Sequence, residues 1–169
     1  AGSNQLLHLV SESLLDPGDI VLCAAPTYFV YLGTLQNVGA RAIGVRTDAD
    51  GIIPDSLEGA LRRLETDGLL PRVKAVYVVT YFDNPCGLTV PAERRRQIVE
   101  IAQRWSQEQT IHVIADDAYR ELRYAGDDVS SMRAFDATGE TVVQTGTFSK
   151  CYSPGIRVGW GIFPKALID

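Results

Sequence analysis

The chain has 169 residues, 46% of them hydrophobic and 22% charged, with 15 glycines, 8 prolines and a formal net charge of −5. That length suits one domain with a substantial core, and the acidic balance argues against nucleic acid or an anionic membrane surface as partner. No apolar run reaches the roughly 20 residues of a membrane-spanning helix, and three widely spaced cysteines (Cys23, Cys86 and Cys151) read as reduced thiols of a cytoplasmic protein rather than a disulfide framework or a zinc site.

Residues 3–15 carry apolar side chains at 6, 7, 9, 10, 14 and 15, a helical spacing with Ser3 or Asn4 as candidate N-cap. The turn at 16–19 ends that helix, and residues 20–25 form a short apolar strand. Pro26-Thr27-Tyr28 leads into a helix that runs to about Val38 and stops at Gly39. Residues 40–46 predict a second strand closed by a turn at 48–51. Pro54 opens a helix to about Thr66 with Leu57, Leu61 and Leu64 on one face. Residues 73–80 are rich in valine and tyrosine, as in a strand buried on both faces, and Asp83-Asn84-Pro85-Cys86-Gly87 breaks the run. A helix over about 92–107 follows. Its early Arg94-Arg95-Arg96 run reads as a solvated face. Strands are then expected at 111–115, 141–144 and 158–163.

Strand and helix alternate with no repeat, low-complexity tract or internal linker, which predicts an α/β fold: a mainly parallel sheet covered by helices on both faces. Ligands bind such sheets at the carboxyl ends of the strands. The distinctive loops, after residues 25, 80, 115 and 146, all fall at such ends.

The most informative loop holds Thr147, Ser149, Lys150 and Arg157 between two β-rich runs punctuated by glycine. Burial of Lys150 in that setting would disfavour its ammonium form and make it a nucleophile for carbonyl carbon. The hydroxyls and the arginine suit a phosphate nearby. Together they suggest an aldehyde-and-phosphate cofactor held as a Schiff base, namely pyridoxal phosphate. Gly2-Ser3-Asn4 at a helix start offers N–H groups to a phosphate, or is a simple N-cap. Tyr28 stacks on a flat cofactor, or is core. Asn84 presents an amide beside a rigid turn, or serves the turn itself. Asp116 ends an apolar strand, where a carboxylate needs a cationic partner such as a protonated pyridine nitrogen. Tyr119, three residues on, would reach the cofactor's phenolic oxygen, and Asp117 reads as solvated or as a helix cap. His8 in a helix and His112 in a strand are expected outside the chemistry.

Taken in order, Gly2-Ser3-Asn4-Gln5, Pro26-Thr27-Tyr28, Asn84-Pro85-Cys86-Gly87, Asp116-x-x-Tyr119, Thr147-Phe148-Ser149-Lys150 and Pro154-Gly155-x-Arg157-x-Gly159-Trp160 resemble the class I and II aminotransferases of pyridoxal-phosphate fold type I. The likeness spans the whole chain and is nearest the 2-aminoadipate and kynurenine-type branch. It implies that Lys150 carries the cofactor as a Schiff base and shuttles the proton, that Asp116 pairs with the pyridine nitrogen, and that Tyr119 and Asn84 bind the phenolic oxygen. It also implies that Tyr28 stacks on the ring, and that Ser3, Asn4, Thr147, Ser149 and Arg157 hold the phosphate. The implied substrates are an amino acid and a 2-oxo acid, and the implied assembly is a homodimer.

Cys86 stands where the family usually has Thr, and Asn4 where Gln is commoner. The chain opens without an initiator methionine on a loop-to-helix sequence, so residues 1–169 are expected to be an incomplete large, cofactor-binding domain lacking an N-terminal segment and a C-terminal small domain. Two other readings share this core: a pyridoxal-phosphate lyase or synthase, and a cofactor-binding effector domain of a transcription regulator. A dinucleotide-binding domain is disfavoured, because no strand runs into G-x-G-x-x-G.

Overall fold

The computed structural model describes residues 2–168; Ala1 and Asp169 lie outside the described residues. Helix α1 (Ser3–Leu14) is followed by β1 (Ile20–Ala25), α2 (Phe29–Asn37), β2 (Arg41–Asp48), β3 (Gly51–Ile52) and α3 (Pro54–Thr66). Strand β4 (Val73–Val79), α4 (Ala92–Trp105), β5 (His112–Asp116), β6 (Val142–Thr147) and β7 (Gly159–Ile162) complete the order. The strands form one sheet in the order β3-β2-β1-β4-β5-β6-β7. Strands β2, β1, β4, β5 and β6 pair in parallel, while β3 and β7 are antiparallel to their neighbours at the two edges. The expected mainly parallel α/β sheet is therefore what the chain forms.

Side-chain alternation along the strands divides the core in two. Val21, Cys23, Ala75, Tyr77, Ile114 and Val143 face α1 and α2, where they meet Leu7, Val10, Tyr31 and Leu35. Ile20, Leu22, Val76, Val78, Val113 and Val142 face the other way, onto Leu57, Leu61, Ile98 and Val99 of α3 and α4. From β1 the chain builds outward to β2 and β3 on one side, then returns and builds β4, β5 and β6 on the other. The crevice for a ligand opens where the winding reverses, at the carboxyl ends of the central strands.

Two sequence expectations change. The turn at 48–51 extends into a hairpin, with Thr47 opposite Ile52 and Asp48 opposite Gly51. The Asp48 carboxylate accepts the Asp50 N–H at 2.9 Å, and Gly51 takes the left-handed backbone (φ +95°) that closes the turn. The arginine run at 94–96 is not a solvated face, because three successive helical residues point in three directions. Arg96 alone lies at the surface, between Glu93 and Glu100. Arg94 clasps the hairpin, donating to Asp48 at 3.0 and 3.1 Å and to the Ile52 carbonyl at 2.8 Å. Arg95 is 0% exposed. Its guanidinium donates to the carbonyls of Val90 (2.7 Å), Ser130 (3.0 Å) and Thr80 (2.8 Å), and lies 4.0 Å from the centre of the Tyr81 ring.

A buried cation held by three carbonyls and an aromatic face is a structural tie: without the fork the Val90 and Ser130 carbonyls lose this donor, and the Thr80 carbonyl keeps only the Val90 N–H at 3.0 Å. Arg95→Lys cannot span the three acceptors. It is expected to lower unfolding stability by about 2–4 kcal/mol in urea titrations, whereas Arg96→Lys should stay within about 0.5 kcal/mol.

Candidate active site

The carboxyl ends of the central strands and the first turn of α1 enclose a cavity of about 140 Å³. Its lining includes Ser3, Asn4, Tyr28, Asp116, Tyr119, Thr147, Ser149, Lys150 and Arg157, nine of the ten residues the sequence singles out. Asn84 is the tenth. It sits half-buried on the turn at 83–87 and is not among the lining residues.

At one end of the cavity the α1 start meets the loop that follows β6. The helix is capped by Gly2 (φ +73°) with no side-chain cap bond, so neither Ser3 nor Asn4 is the N-cap expected from sequence. The reason is geometric: the Gly2 N–H is bound instead to the Arg157 carbonyl at 3.0 Å, which fixes the chain before the helix begins. A Cβ on Gly2 would lie 3.5 Å from Thr147 Oγ1, 3.7 Å from Ser149 Oγ and 3.9 Å from Arg157 Nη2. Two hydroxyls, a guanidinium and a helix N-terminus thus converge on one point, a donor set matched to a phosphate. Thr147 Oγ1 also donates to Ser149 Oγ at 3.1 Å and accepts the Ser149 N–H at 3.1 Å, which holds the loop in shape. Arg157 itself adopts a left-handed backbone (φ +56°).

At the other end lies Asp116, 3% exposed. Its Oδ2 accepts the Tyr77 hydroxyl at 2.9 Å and its Oδ1 accepts the Ala118 N–H at 3.2 Å. Burial pushes the Asp116 carboxyl up to about 6 and the nearby Asp117 adds to the rise, while the Tyr77 and Ala118 bonds oppose it. Tyr119 stands beside it, with Lys150 Nζ 5.7 Å from its ring centre. Tyr28 forms the side wall, its hydroxyl 3.5 Å from Asn4 Oδ1.

A family model described as aminotransferase class I and II matches residues 1–169. The chain belongs to this family. It is 36% identical over 160 residues to aromatic-amino-acid aminotransferase 1 of Thermococcus litoralis, covering 95% of this chain and 37% of that protein. The crystal structure of a Pyrococcus horikoshii kynurenine aminotransferase superposes with a TM-score of 0.91 at 37% identity, covering 99% of this chain and 40% of the other. An uncharacterized HTH-type transcriptional regulator, YisV of Bacillus subtilis, is 30% identical over 169 residues, covering 100% of this chain and 32% of that protein. The chain thus spans about a third to two fifths of the length of the relatives it matches. The fold is that of fold type I pyridoxal-phosphate aminotransferases.

Within this aminotransferase fold two sequence expectations need correction. Lys150 is exposed rather than buried: it stands on the turn just past β6, at the open rim of the sheet. Asp117 is buried at 4% exposure, neither solvated nor a cap. The strand direction turns its carboxylate to the face opposite Asp116, where it accepts from Thr80 Oγ1 and from Gln144 Nε2 at 2.6 Å. The two histidines take no part in the cavity lining. His8 pairs with Glu12 on the surface of α1, and His112 sits at the amino end of β5, away from Asp116 at its carboxyl end. Among the described residues no group of three or more His, Cys, Asp or Glu side chains could hold a metal, and no helix is long and apolar enough to cross a membrane.

Sequence reasoning missed Tyr77, Val79, Ala118 and Pro154, and it also missed the role of Gly159. A Cβ at Gly159 would fall 2.6 Å from Gly2 C and 2.7 Å from Ser3 N, so only glycine lets β7 pass the start of α1. The glycine spacing after Lys150 carried that signal, but not its contact.

Two outcomes follow from this geometry. Gly159→Ala should displace the first turn of α1, costing about 1–3 kcal/mol of stability and weakening inorganic phosphate binding measured by calorimetry. The Asp116 value lies above that of an ordinary carboxylate near 3.8, so ionised Asp116 works against the cofactor-free fold. That cost is absent below about 4, grows as pH rises, and is complete above about 6. Asp116→Asn is therefore expected to stabilise the cofactor-free protein by on the order of 2–3 kcal/mol at pH 8 and by almost nothing at pH 4. Thermal melts at the two pH values check the sign.

Proposed function

We propose that the protein is a pyridoxal-phosphate-dependent aminotransferase that moves an amino group between an amino acid and a 2-oxo acid. The observation that carries this reading is the bipolar cavity: a phosphate-matched cradle at Gly2, Thr147, Ser149 and Arg157, and a buried carboxylate with a lysine and a tyrosine at the other end. The distribution fits the cofactor, which is anionic at its phosphate and basic at its ring nitrogen.

Bound pyridoxal phosphate would supply an aldehyde for amine chemistry and a ring that accepts electrons from the substrate α-carbon. The chain's own residues supply the rest. Arg157, the two hydroxyls and the α1 N-terminus would hold the phosphate by charge-assisted bonds and the helix dipole. Asp116, as an anion, would favour a proton on the ring nitrogen. Tyr28 would pack against the ring. Lys150 Nζ, at the rim beside Tyr119, is placed to take a proton as the free amine and to return it as the ammonium. Asn84 is assigned to the phenolic oxygen together with Tyr119, on the family pattern. The names of the aromatic and kynurenine relatives support bulky amino acids as substrates. A cytoplasmic homodimer in amino-acid metabolism fits this reading; the exposed apolar side chains Phe29, Val30 and Leu32 on α2 offer a surface for a second copy.

The decisive test is the visible spectrum of the protein after incubation with pyridoxal phosphate and desalting, with Lys150→Ala alongside. In the longer protein the wild type should retain a pH-sensitive band that bleaches with an amino acid and returns with a 2-oxo acid, with Lys150→Ala losing transfer by at least about a thousandfold, whereas residues 1–169 alone are expected to be inactive. A band that never bleaches favours the reading as a cofactor-binding domain of a transcription regulator, the class to which one relative's name assigns it. No band in the wild type sinks the cofactor reading.

A further inference from the structure

Asp116 does not rest on its own loop alone. Tyr77, one strand over on β4, is 0% exposed and gives its hydroxyl to Asp116 Oδ2 at 2.9 Å. Its ring lies against Tyr31 of α2, with centroids 4.0 Å apart and planes 33° from parallel. The Tyr31 hydroxyl in turn meets Ser11 Oγ of α1 at 3.2 Å, and Ser11 Oγ donates to the Leu7 carbonyl at 2.8 Å. With the serine proton so committed, Tyr31 is the donor to Ser11. Helix α1 therefore reaches the cavity twice: directly, by its first turn at the phosphate cradle, and again through Ser11, Tyr31 and Tyr77 at the buried carboxylate.

A core tyrosine needs some partner for its hydroxyl, and a phenylalanine would fill the same space. Here the partner is the one carboxylate among the described residues that lines the reactive cavity. Burial and the Asp116 charge push the Tyr77 hydroxyl well above an ordinary phenol, so it keeps its proton and acts as donor. With Tyr77 on Oδ2 and the Ala118 N–H on Oδ1, the carboxylate is held from two sides. We propose that Tyr77 is a positioning residue for Asp116: its hydroxyl fixes how the carboxylate faces the cavity and favours its ionised form, while Tyr31, anchored by Ser11, holds that hydroxyl in place. The ring nitrogen as the target of the anion rests on the aminotransferase reading above; the positioning belongs to this chain.

Tyr77 from β4 and the Ala118 N–H bind Asp116, Tyr31 of α2 and Asp117, the next residue along, act on it by charge, and Cys23 of β1 acts on the two tyrosines. Lys150, Tyr119 and Arg157 share the cavity. Tyr77 and the Ala118 N–H are the groups in this set that lower the carboxyl's proton affinity by a hydrogen bond, so removing the Tyr77 bond should raise that affinity.

The experiment follows the Asp116 carboxyl by infrared difference spectroscopy across pH in the cofactor-free protein, with Asp116→Asn to identify its band. In Tyr77→Phe the midpoint should rise by about one pH unit. Incorporating 3-fluorotyrosine at position 77, a stronger donor that truncates nothing, should move it down. Tyr31→Phe, which keeps the stacked ring, should give a smaller rise than Tyr77→Phe. Tyr77→Phe should also lose about three- to tenfold in pyridoxal phosphate affinity while binding inorganic phosphate as the wild type does. An unmoved carboxyl midpoint, or equal losses for both ligands, overturns the proposal and leaves Tyr77 as core. A wild type that retains no pyridoxal phosphate sinks the functional reading instead, and the carboxyl titration still tests the positioning.

Discussion

The close approach of β7 to the start of α1 is the constraint on which the cavity depends. Gly159 lies so near the Gly2–Ser3 backbone that no side chain fits between them, and the Gly2 N–H closes the contact on the Arg157 carbonyl. That contact carries a helix N-terminus to the loop bearing two hydroxyls, a guanidinium and Lys150, joining the first turn of the chain to its last strand. Without it the donors proposed for a phosphate would sit on separate elements of the sheet's rim. The parallel strands supply the floor, and the junction supplies the wall.

The other end of the cavity is governed by the cost of burying charge. Asp116, the last residue of β5, and Asp117, the residue after it, are both buried and turned to opposite faces of the sheet. They are neutralised differently. Asp117 is enclosed by Thr80 and Gln144, and Arg95 and Arg120 help to lower its proton affinity against the rise that burial imposes. Among the described residues the Asp116 carboxylate accepts from only a phenol and a backbone N–H, and it lines the cavity. An anion left short of cationic partners in a wall is primed for a cationic ligand, and in that sense the structure stores at Asp116 the binding preference that the phosphate cradle complements.

Much of this was legible in the sequence because it is written in local rules. Alternating periodicities gave the parallel sheet, and turn chemistry put the distinctive loops at strand ends, where nine of the ten expected residues meet. What escaped reading depends on contacts distant in sequence. An arginine run looks solvated until a helix points Arg95 at three carbonyls contributed by the loop before α4, the end of β4 and residue 130. Asp117 is indistinguishable from a cap until β6 brings Gln144 beside it. Lys150 looks buried because its flanking runs are apolar, but those runs are the strand β6 and the loop behind it, and the lysine itself stands on the rim. Tyr77 reads as one more core aromatic in a valine-rich strand, since nothing local announces that its hydroxyl ends on Asp116.

Thr80 has a consequence for how such a sequence can drift. Its carbonyl accepts from Arg95 and its hydroxyl serves Asp117, which also takes Gln144. Four residues, from α4, from β6 and from the positions just past β4 and β5, are thus bound into one unit outside the lining of the cavity. A change at any one of them removes a buried hydrogen-bond partner from another, so tolerated replacements should come in matched sets, with Arg95, Thr80, Asp117 and Gln144 inherited together or exchanged together. Lineages free to vary the rim around Lys150 would still carry this quartet as a block behind it.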